Sequence, residues 1–528
     1  MTGSSATGGR FPGLGMERPD AEYIPGARKY LSAELLDRSG LAVPLLAVVA
    51  AALRLPNLGK SLWFDEVLYS TSYAVSSLSR LWDLFVNDIT PAPLYRVLLF
   101  FWLKVFDETE LSLRTPSLLF GIASIGLTYR IARTYGSPRV AFLAASFLCF
   151  SPAHVWYSQD ATPYAMTLFF LLASVLAWLR LRADPTRPAW YAVYFGGLLV
   201  TVFTHYFAAL FLLPLTLMSL PLEKSPRRRV LAAHAVVVSS LALVLGIKYH
   251  FATATALRGF LRPFTPFEWW MLFFNWFLQG NSLWTVSPYR ANVAYLLSEP
   301  LFVACQAFFC VLFLRGLFSY RAQARRAWEL LALTCALPLV MLLLTQLGYR
   351  ELYIERYLLV LLPFVAIVLA RGAASFANVK AVIACSAAMG VIGAASYGAW
   401  LYKSETWTVY NQNPDWRAAA SYLGAQVVPP REAVIVATAF PIELSYYFVR
   451  ERKVPAPRAV IYDARSLESL LGDDRVKVLY LLRNNRRMAG VDEVLQRMKD
   501  ERRLELTTTQ SFKGFEIYTF VPRGAAGD

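Results

Sequence analysis

Long apolar runs separated by short basic connections are the feature that most constrains this chain. A helix needs about 20 residues to cross a hydrocarbon core about 30 Å thick, and runs approaching that length recur along most of the 528 residues. Charged residues make up only 17% of the chain, against roughly 25% in soluble domains. The pattern predicts a polytopic α-helical membrane protein with about eleven spans. The predicted spans are residues 41–58, 113–132, 139–156, 162–180, 189–205, 206–222, 230–249, 292–314, 327–347, 357–371 and 379–401.

The charge of the segments that connect the spans predicts which side of the membrane each segment faces. Basic residues gather in every second connection, for example at Arg130, Arg133 and Arg139 and again around Arg227. Because cytoplasmic loops are enriched in lysine and arginine, residues 1–40 are predicted to be a cytoplasmic tail. The same distribution accounts for the net charge of +16 without a basic patch that is interleaved with aromatics. Nucleic acid is therefore not an expected partner.

Two further apolar stretches, residues 91–106 and 267–278, are interpreted as interfacial helices rather than spans. Either stretch, if it crossed the membrane, would move every later basic cluster to the outside. The tryptophans of the second stretch also suit the headgroup level. The two stretches lie in a predicted external loop, 59–112, and a predicted interfacial loop, 250–291, of a transmembrane domain that covers residues 41–402.

The character of the chain changes after the last predicted span. Short strands alternate there with helices, which is typical of an α/β domain. Residues 403–528 are therefore expected to form a soluble, external (periplasmic) α/β domain that either recruits an acceptor or acts as a structural cap. The predicted strands are residues 433–439, 476–482 and a closing pair within 504–521, and the predicted helices include 442–449 and 491–501.

An acidic pair, Asp65 and Glu66, follows the first span on the predicted outer side of the membrane. Two close carboxylates repel each other, and low-dielectric surroundings also raise the pKa of a carboxyl group. A pKa raised toward the working pH is what a general base needs. Asp65 is therefore a candidate base for removing the proton of a hydroxyl group. The alternative is that the pair only sets the topology of the first span.

A series of short motifs extends over nearly the whole chain on the predicted outer side. The motifs are Leu62–Glu66, Pro91–Tyr95, Arg114–Ser117, Tyr157–Asp160 with Tyr164, Thr204–Tyr206, Glu355–Leu358 and Asp415–Arg417. In order and placement they resemble those of the bacterial protein O-mannosyltransferase-like glycosyltransferases. That family belongs to the GT-C superfamily of polyprenol-phosphate-sugar enzymes and is related to the lipid A aminoarabinose transferase. The resemblance implies a GT-C transmembrane fold and sugar transfer without a catalytic metal.

The resemblance also implies roles for individual residues. Asp65 would act as the base, and Glu66 would orient Asp65 or the acceptor. Arg356 matches the family's Arg-Tyr-Leu motif and is the first choice for binding the donor phosphate, because a guanidinium group binds phosphate bidentately. Tyr357 would add a hydroxyl donor. Anchoring of the following span is the alternative for Arg356. Other external arginines considered for the phosphate are Arg96, Arg258, Arg262 and Arg290. Arg54 is expected to snorkel at the outer end of the first span and is a further candidate to reach the phosphate.

Three further polar residues are candidates on the acceptor side or in a structural role. Asp160 stands where the family often has glutamate, and Asp88 lies in the predicted external loop. His205 is a candidate second base or metal ligand, with helix packing as the alternative. The carboxylates are scattered and none of the five cysteines has metal-ligand spacing, so neither a metal nor another cofactor is predicted.

These features together predict an inverting glycosyltransferase in the bacterial inner membrane, with a cytoplasmic N-terminus. Its donor would be a polyprenyl-phosphate sugar and its acceptor a hydroxyl group of a lipid, a glycan or a protein. The sequence leaves the sugar open, whether mannose, glucose, galactose, arabinose or aminoarabinose. The alternative functions are a polytopic transporter or flippase and a non-catalytic scaffold. The odd number of predicted spans and the missing repeat symmetry argue against a transporter.

Overall fold

The computed structural model describes most of the transmembrane region and parts of the C-terminal region. The described residues are 37, 40–87, 92–251, 263–271, 275–277, 298–349, 353–402, 414–426, 433–437, 441–452, 459–460, 478–484, 493, 496–497, 500, 504–512 and 515–522. In chain order the helices are α1 Ala42–Arg54, α2 Phe64–Ser70, α3 Ser72–Val75, α4 Leu78–Asn87, α5 Leu94–Trp102, α6 Glu110–Tyr135, α7 Pro138–Phe150, α8 Pro152–Ser158, α9 Tyr164–Ala183, α10 Pro188–Thr204, α11 Leu212–Ser219, α12 Lys224–Phe251, α13 Pro266–Met271, α14 Pro300–Phe318, α15 Ala324–Gln346, α16 Leu362–Ala374, α17 Val379–Tyr402, α18 Trp416–Gln426 and α19 Pro441–Arg452. Two 3₁₀ helices, Tyr206–Phe211 and Glu355–Leu361, lead directly into α11 and α16. The strands are β1 Ala433–Ala437, β2 Ala459–Val460, β3 Val478–Asn484, β4 Leu504–Phe512 and β5 Phe515–Pro522.

Helix boundaries follow local sequence signals. Thr109, Ser137 and Ser151 each precede a helix, and each side chain accepts a hydrogen bond from the backbone N–H three residues later. Such a cap satisfies a donor that has no partner within the helix. Proline begins α7, α8, α10 and α14, where its missing N–H costs no helical hydrogen bond. α1 ends well before the predicted limit of residue 58, because a turn with Asn57 at φ 70° follows it.

Seven of the described helical segments are long and apolar enough to cross a membrane, and eight if the bent pair α7–α8 counts as one span. The seven are α6, α9, α12, α14, α15, α17 and the continuous run Glu355–Ala374. α1, α10 and the run Tyr206–Ser219 are apolar but shorter. The polytopic α-helical fold class is confirmed, whereas the count of about eleven spans stays a prediction. α5, within the predicted interfacial stretch 91–106, has only nine residues, which is too few to cross.

Two helical segments form the centre of the bundle. In their most apolar windows, 89% of Glu355–Ala374 and 78% of α9 are buried inside the protein, against 17% of α12 and 22% of α17. α16 packs on α7 and α14, and α9 packs on α6 and α10. Large apolar side chains such as Leu243 of α12 are exposed. Lipid tails accept such side chains without penalty, so α12 and α17 have the surfaces of lipid-facing helices.

Two glycines allow α14 and α16 to cross at close range. A Cβ atom at Gly316 would lie 2.0 Å from the carbonyl oxygen of Val368, and one at Gly372 would lie 1.9 Å from the carbonyl oxygen of Leu312. Small residues at a helix crossing let the two backbones approach and gain packing contacts. The crossing brings α16 to its buried position in the bundle centre.

The C-terminal region contains a five-stranded mixed sheet with the strand order β2-β1-β3-β5-β4. β1 pairs in parallel with β2 and β3, and β5 pairs antiparallel with β3 and β4. α18 and α19 pack together, and side chains such as Trp416 and Tyr447 share one buried cluster with Leu482 and Ile517 of the sheet. The predicted strands and the helix near 442–449 are confirmed. The predicted helix 491–501 lies largely outside the described residues.

The close crossing of α14 and α16 yields a stability prediction. Gly372→Ala should lower the melting temperature of the purified protein in detergent, because overpacking a close contact typically costs about 1–3 kcal/mol. Gly390→Ala in α17 is the matched control, since nothing lies within 4 Å of a Cβ atom there. Thermal unfolding followed by intrinsic fluorescence measures both variants. Equal melting temperatures for the two variants would contradict this account of the crossing.

Candidate active site

The acidic pair lies at the start of the short helix α2. Trp63 precedes the helix with extended backbone (φ −107°, ψ 177°), and its N–H donates to the Oε2 atom of Glu66 at 3.2 Å. This contact caps the first turn, as a glutamate three residues inside a helix commonly does. Asp65 and Glu66 are adjacent, so their side chains leave the helix in different directions. The two carboxylates consequently meet different surroundings.

Glu66 is a fully buried carboxylate with fixed partners. The Nε and Nη2 atoms of Arg114 donate to its two oxygens, both at 2.7 Å, and the Ala161 N–H donates to Oε1 at 2.9 Å. Burial alone would raise the pKa of Glu66, but the charge and hydrogen bonds of Arg114 bring that pKa below its usual value. Glu66 is therefore an ionised structural anion rather than a proton acceptor.

Arg114, near the start of α6, uses its remaining donors on the loop before α2. Nη1 donates to the carbonyl oxygens of Leu58 at 2.5 Å and Lys60 at 2.6 Å, and Nη2 donates to that of Ser61 at 3.1 Å. A guanidinium group has five N–H donors, and these contacts together with Glu66 employ all of them. One buried arginine thus joins the loop 58–61, helix α2 and helix α6.

Asp160 contacts the residue that precedes α2. It accepts hydrogen bonds from the indole N–H of Trp63 at 2.7 Å and from the hydroxyl of Thr162 at 3.0 Å. Burial, followed by the negative charge of Glu66, raises the pKa of Asp160 well above its usual value. Since Trp63 directly precedes α2, Asp160 helps to fix the position at which that helix starts.

The other carboxylate of the pair, Asp65, contacts Arg356. Its Oδ2 atom lies 2.8 Å from Nη1 of Arg356, although the two groups are not aligned for a hydrogen bond, and Oδ2 makes none with the described residues. Burial raises the pKa of Asp65; the positive charge of Arg356 counteracts part of that rise, and Glu66 adds to it. The side chain of Asp65 is 11% exposed. This carboxylate is therefore largely buried, and its pKa lies above the ordinary value of an aspartate.

A polar cavity of about 160 Å³ has Arg356 in its wall. The guanidinium of Arg96 stacks 4.7 Å from the centre of the Tyr69 ring. The ring of His205 lies 5.4 Å from that of Tyr164 and 4.7 Å from that of Tyr357. Positive, aromatic and hydroxyl groups dominate the wall. The lining residues are Tyr69, Ala92, Tyr95, Arg96, Pro163, Tyr164, Thr204, His205, Tyr206, Phe207, Arg356 and Tyr357.

The C-terminal region contacts the segment that precedes α2. The hydroxyl of Tyr447 accepts from the Leu62 N–H at 2.7 Å and donates to Glu110 at 3.0 Å. Arg417 donates to the carbonyl oxygen of Gly59 at 2.6 Å and lies 3.2 Å from Glu110. The segment before α2 is thus held between Arg114 on one side and the C-terminal region on the other.

The structure brings together five of the residues predicted from sequence. Asp65, Arg356, Tyr357, Arg96 and His205 lie at or beside one cavity. Glu66 and Asp160 lie behind it, in contact with Arg114 and Trp63. The predicted candidates Asp88, Arg258, Arg262 and Arg290 lie outside the described residues.

Arg54 does not snorkel as expected, because its side chain is fully buried. Its Nη1 atom donates to the carbonyl oxygens of Ala50 at 3.1 Å and Cys149 at 3.2 Å, and Nη2 lies 2.6 Å from Nδ1 of His154. These contacts satisfy carbonyl groups near the ends of α1 and α7. Arg54 therefore joins helices rather than reaching headgroups.

Some residues of the site were not predicted from sequence. Arg114 was noted only as part of a motif, although an arginine at the edge of a predicted span is by default a functional candidate. Tyr69 lies four residues after Asp65, a spacing that places both on one face of a helix. Thr204 and Tyr95 were likewise noted only as parts of motifs, and their place in the cavity wall depends on tertiary packing. Within the described part of the chain, no three His, Cys, Asp or Glu side chains converge as a metal site requires.

The Arg114–Glu66 contact yields a second stability prediction. Arg114→Ala should destabilise the protein by about 3–5 kcal/mol, because it leaves a buried carboxylate without its counter-charge. The matched control is Arg80→Ala, which removes an exposed arginine of α4. Urea or thermal denaturation in detergent compares the two variants with the unaltered protein. A loss in Arg114→Ala no larger than in Arg80→Ala would contradict the structural role of the pair.

Comparisons with known proteins agree with this architecture. Residues 90–250 match the family described as dolichyl-phosphate-mannose-protein mannosyltransferase. No curated protein matches the chain by sequence. Among solved structures, apo ArnT from Cupriavidus metallidurans aligns with 92% of this chain and 98% of its own, at a TM-score of 0.54 and 12% identity. ArnT bound to undecaprenyl phosphate aligns with 93% of this chain and 99% of its own, at a TM-score of 0.52 and 12% identity.

A third similar structure is a mycobacterial enzyme. The arabinofuranosyltransferase AftD from mycobacteria aligns with 92% of this chain and 40% of its own, at a TM-score of 0.52 and 13% identity. At these identities the structural comparisons establish the fold, while the family match comes from the sequence itself. The resemblance inferred from the motifs is confirmed: residues 90–250 match the mannosyltransferase family by sequence, and the chain as a whole shares the fold of ArnT.

Proposed function

We propose that this protein is an inverting glycosyltransferase that moves a sugar from a polyprenyl-phosphate donor to an acceptor hydroxyl, with Asp65 as the general base. The observation that carries the proposal is the 2.8 Å contact between Asp65 and Arg356 at the wall of a polar cavity. A base and a phosphate-binding cation are the two groups that such a transfer needs, and here they are neighbours.

The donor phosphate binds on the cationic side of the cavity. Arg356 and Arg96 both line it, and guanidinium groups form strong, charge-assisted hydrogen bonds with phosphate oxygens. Tyr357 contributes a hydroxyl group at the same wall. The similar structure of ArnT bound to undecaprenyl phosphate supports a lipid phosphate as ligand. Arg262 remains a further predicted contact.

The reaction is a single displacement. The acceptor oxygen attacks the anomeric carbon from the face opposite the phosphate, its proton passes to Asp65, and the sugar–phosphate bond breaks to release polyprenyl phosphate. Attack from the opposite face inverts the anomeric configuration. Arg356 stabilises the negative charge that develops on the leaving oxygen, which is the usual role of a preorganised cation.

Binding of the donor also prepares the base. In the free protein the positive charge of Arg356 lowers the pKa of Asp65. A phosphate that engages Arg356 neutralises much of this charge, so the pKa of Asp65 rises and the carboxylate becomes a stronger base. Glu66 contributes indirectly, because its contacts with Arg114 fix the helix on which Asp65 is placed.

We further propose that the site faces the outer side of the bacterial inner membrane and that the C-terminal region recruits the acceptor. The basic connections predict this orientation. The contacts of Tyr447 and Arg417 with the loop before α2 place the C-terminal region next to the base. A hydroxyl group of a lipid, a glycan or a protein is the chemistry that Asp65 would accept.

Asp65→Asn should reduce sugar transfer by about 10²–10⁴-fold, the usual contribution of a general base, while donor binding is kept. The amide is isosteric but does not take up the proton of the acceptor. Purified protein is incubated with radiolabelled polyprenyl-phosphate sugars and envelope acceptors, and donor binding is measured separately. Asp83→Asn, at an exposed position of α4, is the matched control. Full transfer by Asp65→Asn would rule out this base.

In the pH profiles of kcat and of kcat/KM, activity should fall on the acidic side at a higher pH than an ordinary aspartate would cause. A carboxylate with a raised pKa takes up its proton at a higher pH as the solution is acidified, so activity falls at a higher pH than for an ordinary aspartate. Because kcat reports the donor complex and kcat/KM reports the free protein, the acidic limb of kcat should lie at the higher pH. Profiles of both parameters between pH 4 and pH 9 (roughly the range in which a raised carboxyl pKa is measurable) test this. A kcat limb at the lower pH would contradict it.

A further inference from the structure

A break in the helical backbone places three consecutive residues at the cavity wall. α10 ends at Thr204, and the 3₁₀ helix begins at Tyr206. His205 between them has an extended backbone (φ −153°, ψ 106°). Thr204, His205 and Tyr206 all line the cavity. The break turns these polar side chains toward the cavity instead of distributing them around a helix.

Two of these side chains have hydroxyl groups that are buried and make no hydrogen bond within the described part of the chain. They are Oγ1 of Thr204 and the phenolic oxygen of Tyr206. The Thr204 residue is only 1% exposed. A buried hydroxyl without a partner is unfavourable, so one that lines a cavity indicates a ligand that supplies the missing hydrogen bonds.

The remaining wall indicates the chemistry of that ligand. The rings of Tyr164 and Tyr357 flank His205 and offer apolar faces for the C–H surface of a sugar ring. The cavity of about 160 Å³ is smaller than the roughly 300–1,000 Å³ of typical small-molecule sites. It therefore suits a single sugar unit rather than an oligosaccharide.

The charge of the wall restricts the sugar further. The lining residues of the described cavity include two arginines and no aspartate or glutamate. The adjacent carboxylate, Asp65, is in contact with Arg356 and is required for the acceptor proton. A protonated amino group on the sugar would be removed from water without a counter-charge, which is strongly unfavourable.

We infer that Thr204 and Tyr206 bind the hydroxyl groups of an uncharged monosaccharide on the donor, and that the cavity rejects a donor sugar with a free amino group. The inference rests on the proposed function, because it takes the sugar to be attached to the lipid phosphate held by Arg356. It assigns the sugar-binding side of the cavity to two hydroxyl groups that the proposed proton transfer does not use.

The test measures binding and needs no acceptor. Purified full-length protein binds labelled undecaprenyl phosphate, and unlabelled competitors are the bare lipid phosphate, its mannose, glucose, galactose and arabinose derivatives, and its aminoarabinose derivative. At least one neutral-sugar lipid should bind about tenfold or more tightly than the bare lipid, the equivalent of one or two good hydrogen bonds. The aminoarabinose lipid should bind no more tightly than the bare lipid.

Variants assign the effect to the two hydroxyls. Thr204→Val and Tyr206→Phe should each weaken binding of the neutral-sugar lipid about five- to tenfold and leave the bare lipid unaffected. Thr204→Ser, which keeps the hydroxyl, should restore binding. Thr201→Val is the matched control one turn earlier in α10, since that hydroxyl bonds to the Gly197 carbonyl and does not line the cavity. Unchanged affinity for the bare lipid shows that each variant is folded.

Two sets of results separate this inference from the proposed function. If the bare lipid binds but no neutral sugar adds affinity, if the aminoarabinose lipid binds most tightly, or if the variants weaken all lipids equally, the sugar subsite is refuted and the lipid-phosphate site stands. If neither the bare lipid nor any sugar lipid binds to the unaltered protein, the proposed function itself is refuted.

Discussion

The buried ion pair between Arg114 and Glu66 is the interaction on which the site depends. A buried pair is stable only when hydrogen bonds satisfy the remaining donors and acceptors, and here the five N–H groups of the guanidinium all have partners. Three of those partners are carbonyl oxygens of the loop 58–61. The ion pair therefore holds a loop, the start of α2 and the N-terminal end of α6 in one arrangement. Together with the contact between Trp63 and Asp160, it fixes the position of the neighbouring Asp65.

The acidic pair shows how one helix gives two adjacent carboxylates different chemistry. Glu66 is surrounded by donors, so its pKa falls and it stays charged. Asp65 has one cation beside it and no aligned donor within the described residues, so burial dominates and its pKa rises. The difference arises from the direction in which each side chain leaves α2.

The sequence allowed the polytopic fold, the outer α/β sheet and the acidic pair to be predicted, because hydropathy and charge patterns are local. The partner of Glu66 was not predicted, since Arg114 lies 48 residues away and only the packing of α6 brings it close. The contribution of Thr204 depends on a helix break that no neighbouring proline or glycine predicts. The predicted first span, residues 41–58, is longer than α1, because an apolar run does not reveal the turn at Asn57 that follows the helix. Arg54 was assigned to the surface, although carbonyl groups of two packed helices give it a better environment.

The loop before α2 connects the two halves of the protein. Arg114 of α6 binds its carbonyl oxygens, and Tyr447 and Arg417 of the C-terminal region bind Leu62 and Gly59. Glu110, one turn before Arg114 on α6, accepts from the same Tyr447 and lies beside Arg417. A movement of the C-terminal region would therefore pull on the segment that leads to Asp65. If that region binds the acceptor and Asp65 is the base, as proposed, the same few residues set the positions of both, and this arrangement would link acceptor binding to proton removal.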